Sequence, residues 1–466
     1  MSRSLLPDDV LYELLNSVEL DELLRIARVC RQWRFVALAH PNFAQHISLS
    51  TTSPAALARF TAQLNAKPGS PLRIAVEIPT NDPAADVVFA VLAVHVPRLV
   101  EAAFTVHSLN APALFGILLV AAPALECLLF VFPDCPKLMY RDNAGILRAV
   151  GGVELPRALL DGHAPQMKMF ASVNARLPAR PIPALSSVED VVFAASLEDE
   201  DNFLVFSPAS LTACFPSARR LSITAPLLLS PELPIFSSLL PANLDDLCVS
   251  CWSQSGAILM CLPDKSQGFA CIPCMSIGYA SPDDVSYILD GMHGDLRLRL
   301  MVVDNEGLAA ELATVPQNNK SNIVRRFLQG IEEDLGSFYF DTSWQSRVTE
   351  VVINQRGWAD SRIAQFLPVL PAVKRLRIVL DADNDKGFAL PVARLDCPRL
   401  ETVVLATPFE WDRVRADDVR MLLAAGLPTA AQTVALQVEE GLLVDGELVY
   451  ARVKCSGLAV FPQIPF

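Results

Sequence analysis

Four cysteines form the pattern nearest to a reactive or metal-binding site in this chain: Cys248-x2-Cys251, nineteen intervening residues, then Cys271-x2-Cys274. Thiolates so spaced can close a tetrahedral zinc shell, because each short pair turns two sulfurs toward one point. Two features argue for ordinary thiols. Neither pair is followed by the glycine that zinc-knuckle turns often use, and Cys248 sits between Leu247 and Val249 in what reads as a strand. Repetition of a structural unit would give the same spacing without a metal. Asp381-x-Asp383-x-Asp385 imitates the opening of a calcium loop, but Lys386 stands where that loop needs glycine and Val392 where it needs a bidentate glutamate. The six histidines, at 40, 46, 95, 107, 163 and 293, show no H-E-x-x-H pairing. Neither a G-x-S-x-G elbow nor a phosphate-binding loop occurs. The expectation is therefore no catalytic residue, no cofactor and no metal, in a chain that works by binding.

Composition narrows what it binds. With 466 residues, 52% of them hydrophobic and 19% charged, the chain has ample core for several domains or one elongated repeat array, and is too apolar for disorder. Net charge is −13 with basic residues scattered, which excludes nucleic acid and an anionic membrane as main partners. Eleven cysteines, an odd number, and no apolar N-terminal leader read as free thiols of a cytoplasmic and/or nuclear protein. Leu114 to Leu125 is apolar but too short to span a bilayer and contains Pro123, so it reads as buried core.

The elements that would position a binding surface show in a recurring phrase: proline, then apolar residues at +2, +5 and +7. It appears as Pro97, Leu99, Ala102, Phe104; as Pro123, Leu125, Leu128, Phe130; and as Pro216, Ala218, Leu221, Ile223. It returns as Pro371, Val373, Leu376, Ile378 and as Pro398, Leu400, Val403, Leu405, with a version slipped by one residue at Pro241, Leu244, Leu247, Val249. Successive starts are 123−97=26, 241−216=25 and 398−371=27 residues apart, within the leucine-rich-repeat range. The phrase predicts a short strand whose +5 and +7 side chains point inward and whose +4 and +6 side chains point out. Weaker copies lie at Pro165–Ser172, Val188–Phe193, Leu296–Val302 and Val348–Ile353. Helical patterns fall between the strands at Ala55–Leu64, Pro112–Val120, Asp283–Leu289, Asn322–Leu335 and Ala416–Ala425. The expected class is α/β: a leucine-rich-repeat-like solenoid over residues 50–430, with a parallel sheet and outer helices. Doubly wound domains are the alternative, because short apolar runs look alike in both folds, although no glycine-rich loop follows any strand. Linkers are expected at Ser48–Pro54, Leu177–Ser187 and Pro316–Ser321. In the tail, 431–466, Leu442–Val444, Asp445-Gly446 and Leu448–Tyr450 read as a β-hairpin cap.

Residues 1–49 differ in character. Asp8 and Asp9 follow Pro7 at a helix start, where carboxylates suit the unsatisfied N–H groups, and Val10, Leu11, Leu14, Leu15 and Val18 recur at helical spacing. A second helix starts at Asp21-Glu22 and carries Leu23, Leu24, Ala27 and Val29; a third carries Trp33, Val36 and Leu38 until His40-Pro41 ends it. So short a segment cannot bury three amphipathic helices alone, and the apolar face left over asks for a partner. Leu6-Pro7, the helix from Val10 to Leu15, Val29-Cys30-Arg31-Gln32-Trp33 and Pro41-Asn42-Phe43 together resemble an F-box. The repeat region is in turn similar to the irregular leucine-rich repeats of F-box proteins common in mushroom-forming fungi, through Pro71-Leu72-Arg73-Ile74, Ala122–Leu128, and Leu155-Pro156 through His163-Ala164-Pro165.

That resemblance implies a substrate-recognition subunit of a ubiquitin ligase of the Skp, cullin and F-box type, itself non-catalytic. The F-box would dock on a Skp-type adaptor and, through it, on cullin, while the repeats hold a target protein. Carried onto matching positions, it assigns the adaptor surface to Leu6, Pro7, Leu11, Val29, Cys30 and Trp33. A repeat scaffold acting without ubiquitin transfer is the rival. For the target, the outward repeat positions and their neighbours offer Arg219, Arg220, Arg297, Arg299, Lys374, Arg375 and Arg377, a set suited to an acidic or phosphorylated segment. Solvent-facing charge of no particular role is the plainer reading of the same residues.

Overall fold

The computed structural model describes residues 6–15, 18, 22, 25–40, 46–66, 68–134, 138–141, 147–150, 152–194, 204–206, 208–224, 227–229, 243–250, 272–278, 282–289, 292–303, 307–315, 322–329, 343–361, 370–380, 389–392, 394–407, 412–427, 434–439, 442–445 and 453–455. Cys251, Cys271, Asp381 to Asp385, the expected linker at 316–321 and the second arm of the expected terminal hairpin lie outside them. The chain divides into two compact units, Met1–Leu244 and Asp245–Phe466.

The first unit opens with α1 (Asp8–Leu14) and α2 (Arg31–Ala39). An alternation of strands and helices follows: β1 (His46–Leu49), α3 (Pro54–Ala66), β2 (Leu72–Ile78), α4 (Ala85–Ala93), β3 (Leu99–Val106), α5 (Ala111–Ile117) and β4 (Cys127–Val131). Then come β5 (Met169–Val173), β6 (Asp190–Ala194), α6 (Pro208–Cys214) and β7 (Arg220–Thr224). Each of β1 to β6 pairs in parallel with the strand that follows it, ending at β7. Ala102 faces Leu128 and Phe104 faces Phe130, so equivalent positions of the recurring phrase stack in register. The +2, +5 and +7 residues of its three copies here are all buried, as period-2 alternation requires.

Aromatic rings continue that stacking through the core. Phe130 lies 6.0 Å from Phe104, 5.8 Å from Phe115 and 6.1 Å from Phe170, and Phe170 lies 5.5 Å from Phe215. Each fully buried Phe contributes about 1.5–3 kcal/mol, with more from edge-to-face contacts. Leu114, Leu118, Ala122 and Leu125 are buried, as expected of a core segment. The proline-rich stretch 177–187, expected as a linker, instead packs: Ile182, Ala184 and Leu185 are buried around a 3-10 turn at Pro183–Leu185. Proline there fixes a turn whose apolar neighbours go inward. The expected linker at Ser48–Pro54 likewise begins inside β1.

The second unit holds β8 (Asp246–Ser250), β9 (Cys274–Gly278), α7 (Pro282–Leu289), β10 (Leu296–Val303), β11 (Gly307–Thr314), β12 (Val324–Gln329) and β13 (Val348–Asn354). These are followed by α8 (Gln355–Ala359), β14 (Arg375–Val379), β15 (Thr402–Ala406), α9 (Ala416–Gly426), β16 (Val434–Val438) and β17 (Val453–Cys455). Their order is β8-β9-β12-β11-β10-β13-β14-β15-β16-β17. All pairings are parallel except those of β11, which runs antiparallel between β10 and β12. The chain thus inserts a three-stranded meander between β9 and β13.

That insertion corrects one expectation. The helix expected at Asn322–Leu335 is in its described part a strand, because residues 324–329 gain ladders on both sides, from β9 and β11. Non-local pairing outweighs a helical spacing of apolar residues. The other four helical expectations coincide with α3, α5, α7 and α9. In the tail, Leu442–Asp445 is a strand that pairs in parallel with Asp412–Arg415. The observed class is α/β, with a mostly parallel sheet following the N-terminal helices.

Candidate functional site

Residues 6–40 build a small core of their own. Leu11, Leu15, Ala27, Val36 and Ala37 are buried together, with Tyr12, Val18, Ile26 and Trp33 packed against them. Helix α1 starts at Pro7, whose fixed φ suits a first turn, and Asp8 and Asp9 follow where the helix dipole favours carboxylates. Gln32 fastens α2 to that start: its Nε2 donates to Leu6 O at 2.7 Å and to Asp8 Oδ1 at 2.6 Å. Arg34 Nε donates to Ala27 O at 3.0 Å. At the far end, the His40 ring lies 4.6 Å from that of Tyr12, and burial lowers the His40 pKa against the opposing pull of the Tyr12 carbonyl and Glu13.

What this core leaves outside is apolar. Leu6 is 49% exposed, Val10 41%, Leu14 53%, Val29 68% and Phe35 69%. Among the six residues assigned to the adaptor surface, Leu6, Pro7 and Val29 are exposed, Cys30 and Trp33 are half-buried, and Leu11 is fully buried. Leu11 therefore holds the helices together rather than offering itself to a partner. Val10, Leu14 and Phe35 were missed as surface residues. Their positions in the apolar pattern signal helices, but that pattern does not separate the side turned to the small core from the side turned away.

The arginines expected on the outward sheet face fall into separate groups. Arg219 and Arg220 belong to the first unit, where Arg220 forms an ion pair with Asp190 on the neighbouring strand. Lys374 precedes β14, 3.9 Å from Glu401. Arg297, Arg299, Arg375 and Arg377 lie on β10 and β14, on the face opposite the buried Leu298, Leu300, Leu376 and Ile378. Arg326 joins them from β12, a residue hidden from sequence reasoning by the helix expected there. Its neighbour Arg325 points the other way and is fully buried, donating to the carbonyls of Ile272 at 3.0 Å and Val324 at 2.9 Å. Burial lowers its pKa to about 10, which leaves it charged at neutral pH.

Among the described residues no cluster of three or more His, Cys, Asp or Glu side chains is placed to hold a metal. Cys248 and Cys274 lie on the paired strands β8 and β9, and burial raises the Cys274 thiol to about 11, which disfavours a thiolate. His107, Ser108 and Asp134 come together, but not as a nucleophile and its base. Ser108 Oγ donates straight to Asp134 at 2.5 Å, and His107 Nδ1 accepts from Leu109 N at 3.2 Å while Nε2 faces Asp134 at 3.1 Å. Both ring nitrogens are engaged away from the hydroxyl, so the trio clips a turn in place. No helix among the described residues is long and apolar enough to cross a membrane.

Residues 4–50 match the family model described as F-box-like. The matched span takes in α1, α2 and the exposed apolar set, and F-box domains bind Skp-type adaptors in non-catalytic subunits. Comparison with curated proteins finds no match.

Proposed function

We propose that this chain is the substrate-recognition subunit of a ubiquitin ligase of the Skp, cullin and F-box type, and that it catalyses no step itself. The observation that carries this reading is an F-box-like segment that keeps Leu6, Val10, Leu14, Val29 and Phe35 exposed around its own core. Exposed apolar side chains gain free energy when a partner covers them. Leu6, Pro7 and Val29, with Cys30 and Trp33 at the border, Leu11 beneath, and Val10, Leu14 and Phe35 added, form the adaptor surface; cullin is reached through the adaptor. The working division is an F-box at 1–49, a leucine-rich-repeat-like solenoid at 50–430 and a terminal cap at 431–466, in a cytoplasmic and/or nuclear protein. In-register parallel strands recurring about every 26 residues support the solenoid reading within each unit.

The repeats would hold the target, with Arg219, Arg220, Arg297, Arg299, Lys374, Arg375 and Arg377 as candidate contacts. The chain's contribution is then proximity, raising the target's effective concentration near a charged ubiquitin carrier. Co-purification with adaptor and cullin tests this. The full chain should recover both, and deletion of residues 4–50 should lose both. Recovery of the adaptor without cullin would replace the ligase reading with a scaffold.

A further inference from the structure

The outer helices of the first unit are apolar on the side that the core does not use. Helix α4 buries Ala85, Val88, Phe89 and Leu92, and α5 buries Ala111, Leu114 and Phe115. Away from those residues, Val87, Ala90 and Val94 are exposed on and just past α4, and Pro112, Gly116, Leu119 and Val120 on and just past α5. Val87 is 55% exposed and Val94 76%. A helix that is apolar all round is ordinarily covered all round. No exposed residue from 87 to 125 carries a charge. The ionisable groups of this stretch are directed elsewhere: His95 is buried, Arg98 donates to Leu64 O and Ser70 O, Glu101 lies 3.4 Å from Arg73 on the sheet, and His107 faces Asp134.

Gly116 is a second, separate observation. It lies in α5, where glycine weakens a helix, and a Cβ built on it would meet nothing within 4 Å, so packing inside the chain does not call for a glycine there. A surface approaching from outside does, because bare backbone lets it come close. Helix α3 packs beside α4, and α4 beside α5. On α3 the exposed Ala55, Ala58 and Ala62 recur at the same helical spacing and widen the face. Across the three helices the only charged residues are Arg59 and Asp86, one of each sign, in a chain of net charge −13.

We propose that a second copy of this chain docks on the α3–α4–α5 face, giving a reversible two-fold dimer. Around a two-fold axis a surface meets itself, so a charged face of an acidic chain sets like charge against like, whereas a neutral apolar face does not. Contacts between identical chains are also more apolar than those between unlike chains, which are about as polar as the remaining surface. Three helices about 10 Å apart and about 15 Å long outline roughly 450 Å² on each copy. That is smaller than a standard stable interface and suits association that reverses on dilution. A membrane surface fits poorly, since interfacial helices set Lys and Arg on their polar side and the one charge on α4 and α5 is Asp86. Adaptor docking uses α1 and α2, so the two surfaces stand on different helices.

The test is the mass of the full chain by sedimentation equilibrium over a wide range of concentration, where it should pass reversibly from single to paired copies. Gly116→Arg sets a long cation on the face at a point where the chain's own packing leaves room. It should raise the concentration needed for half-dimerisation at least about tenfold, with thermal melting as in the parent. Val94→Glu should act in the same direction from the neighbouring helix. Phe35→Ala, on the other exposed apolar surface, should leave the dimer unchanged. Single copies at every concentration, a dimer left intact by both Gly116→Arg and Val94→Glu, or one disrupted by Phe35→Ala would overturn the proposal. So would capture of the chain on phosphatidylcholine vesicles that either face variant abolishes.

Discussion

Replacing Phe35 by alanine should separate docking from folding in the N-terminal domain. Phe35 lies on α2 beside the buried Val36 and Ala37, yet is itself 69% exposed. A phenylalanine side chain offers about 200 Å², so about 140 Å² is available to a partner. At about 25 cal/mol per Å² the ceiling is about 3.5 kcal/mol; ordering and desolvation costs bring a single anchor to about 2 kcal/mol, about thirtyfold in affinity. The same change should alter stability by no more than about 0.5 kcal/mol, because the side chain is already in water. Leu11→Ala is the mirror image. Leu11 is fully buried, and its truncation should cost about 2–5 kcal/mol of domain stability. Calorimetric titration with purified adaptor, paired with thermal unfolding of each variant, reads both quantities. A Phe35→Ala variant that melts normally and binds the adaptor as tightly as the parent would refute the assignment of this face.

Three further outcomes are expected. Metal analysis of protein purified without chelator should find well under one zinc per chain; stoichiometric zinc that disappears when Cys248 and Cys274 are replaced would reverse the reading of these thiols. Because burial lowers the His40 pKa below its ordinary 6.5, the unfolded chain takes up a proton that the folded domain resists, so N-terminal stability should fall as pH drops through 6.5. His40→Phe, which keeps a ring against Tyr12, should flatten melting temperature between pH 7.5 and 5.5, and an unchanged pH profile would exclude His40 as the cause. Gly426→Ala should destabilise the second unit by about 1–3 kcal/mol in denaturant titration, since a Cβ there would overlap the Trp358 ring; an unchanged midpoint would mean that α9 can shift at no cost.

The proline phrase made β3, β4, β7, β14 and β15 legible because it joins two local signals, a turn residue and period-2 burial, that agree. The weaker copy at Leu296–Val302 marked β10, but β11 and β12 carried no such agreement. In Val324-Arg325-Arg326-Phe327 one arginine is buried against main-chain carbonyls and the next faces solvent, so charge did not mark the outward side. That same stretch concealed Arg326, which faces solvent beside Glu311. In the N-terminal domain, the motif made the partner class readable, while the exposure of Phe35 and the burial of Leu11 depend on how α1 and α2 cross, which helical spacing does not encode.

Titration of purified Skp-type adaptor into the full chain tests the central claim most directly. The account predicts saturable one-to-one binding that weakens about thirtyfold when Leu6 and Pro7 are both changed to alanine, and that is unchanged by Arg297→Gln with Arg299→Gln. Absence of saturable binding, or affinity undiminished by the Leu6 and Pro7 changes, would contradict it.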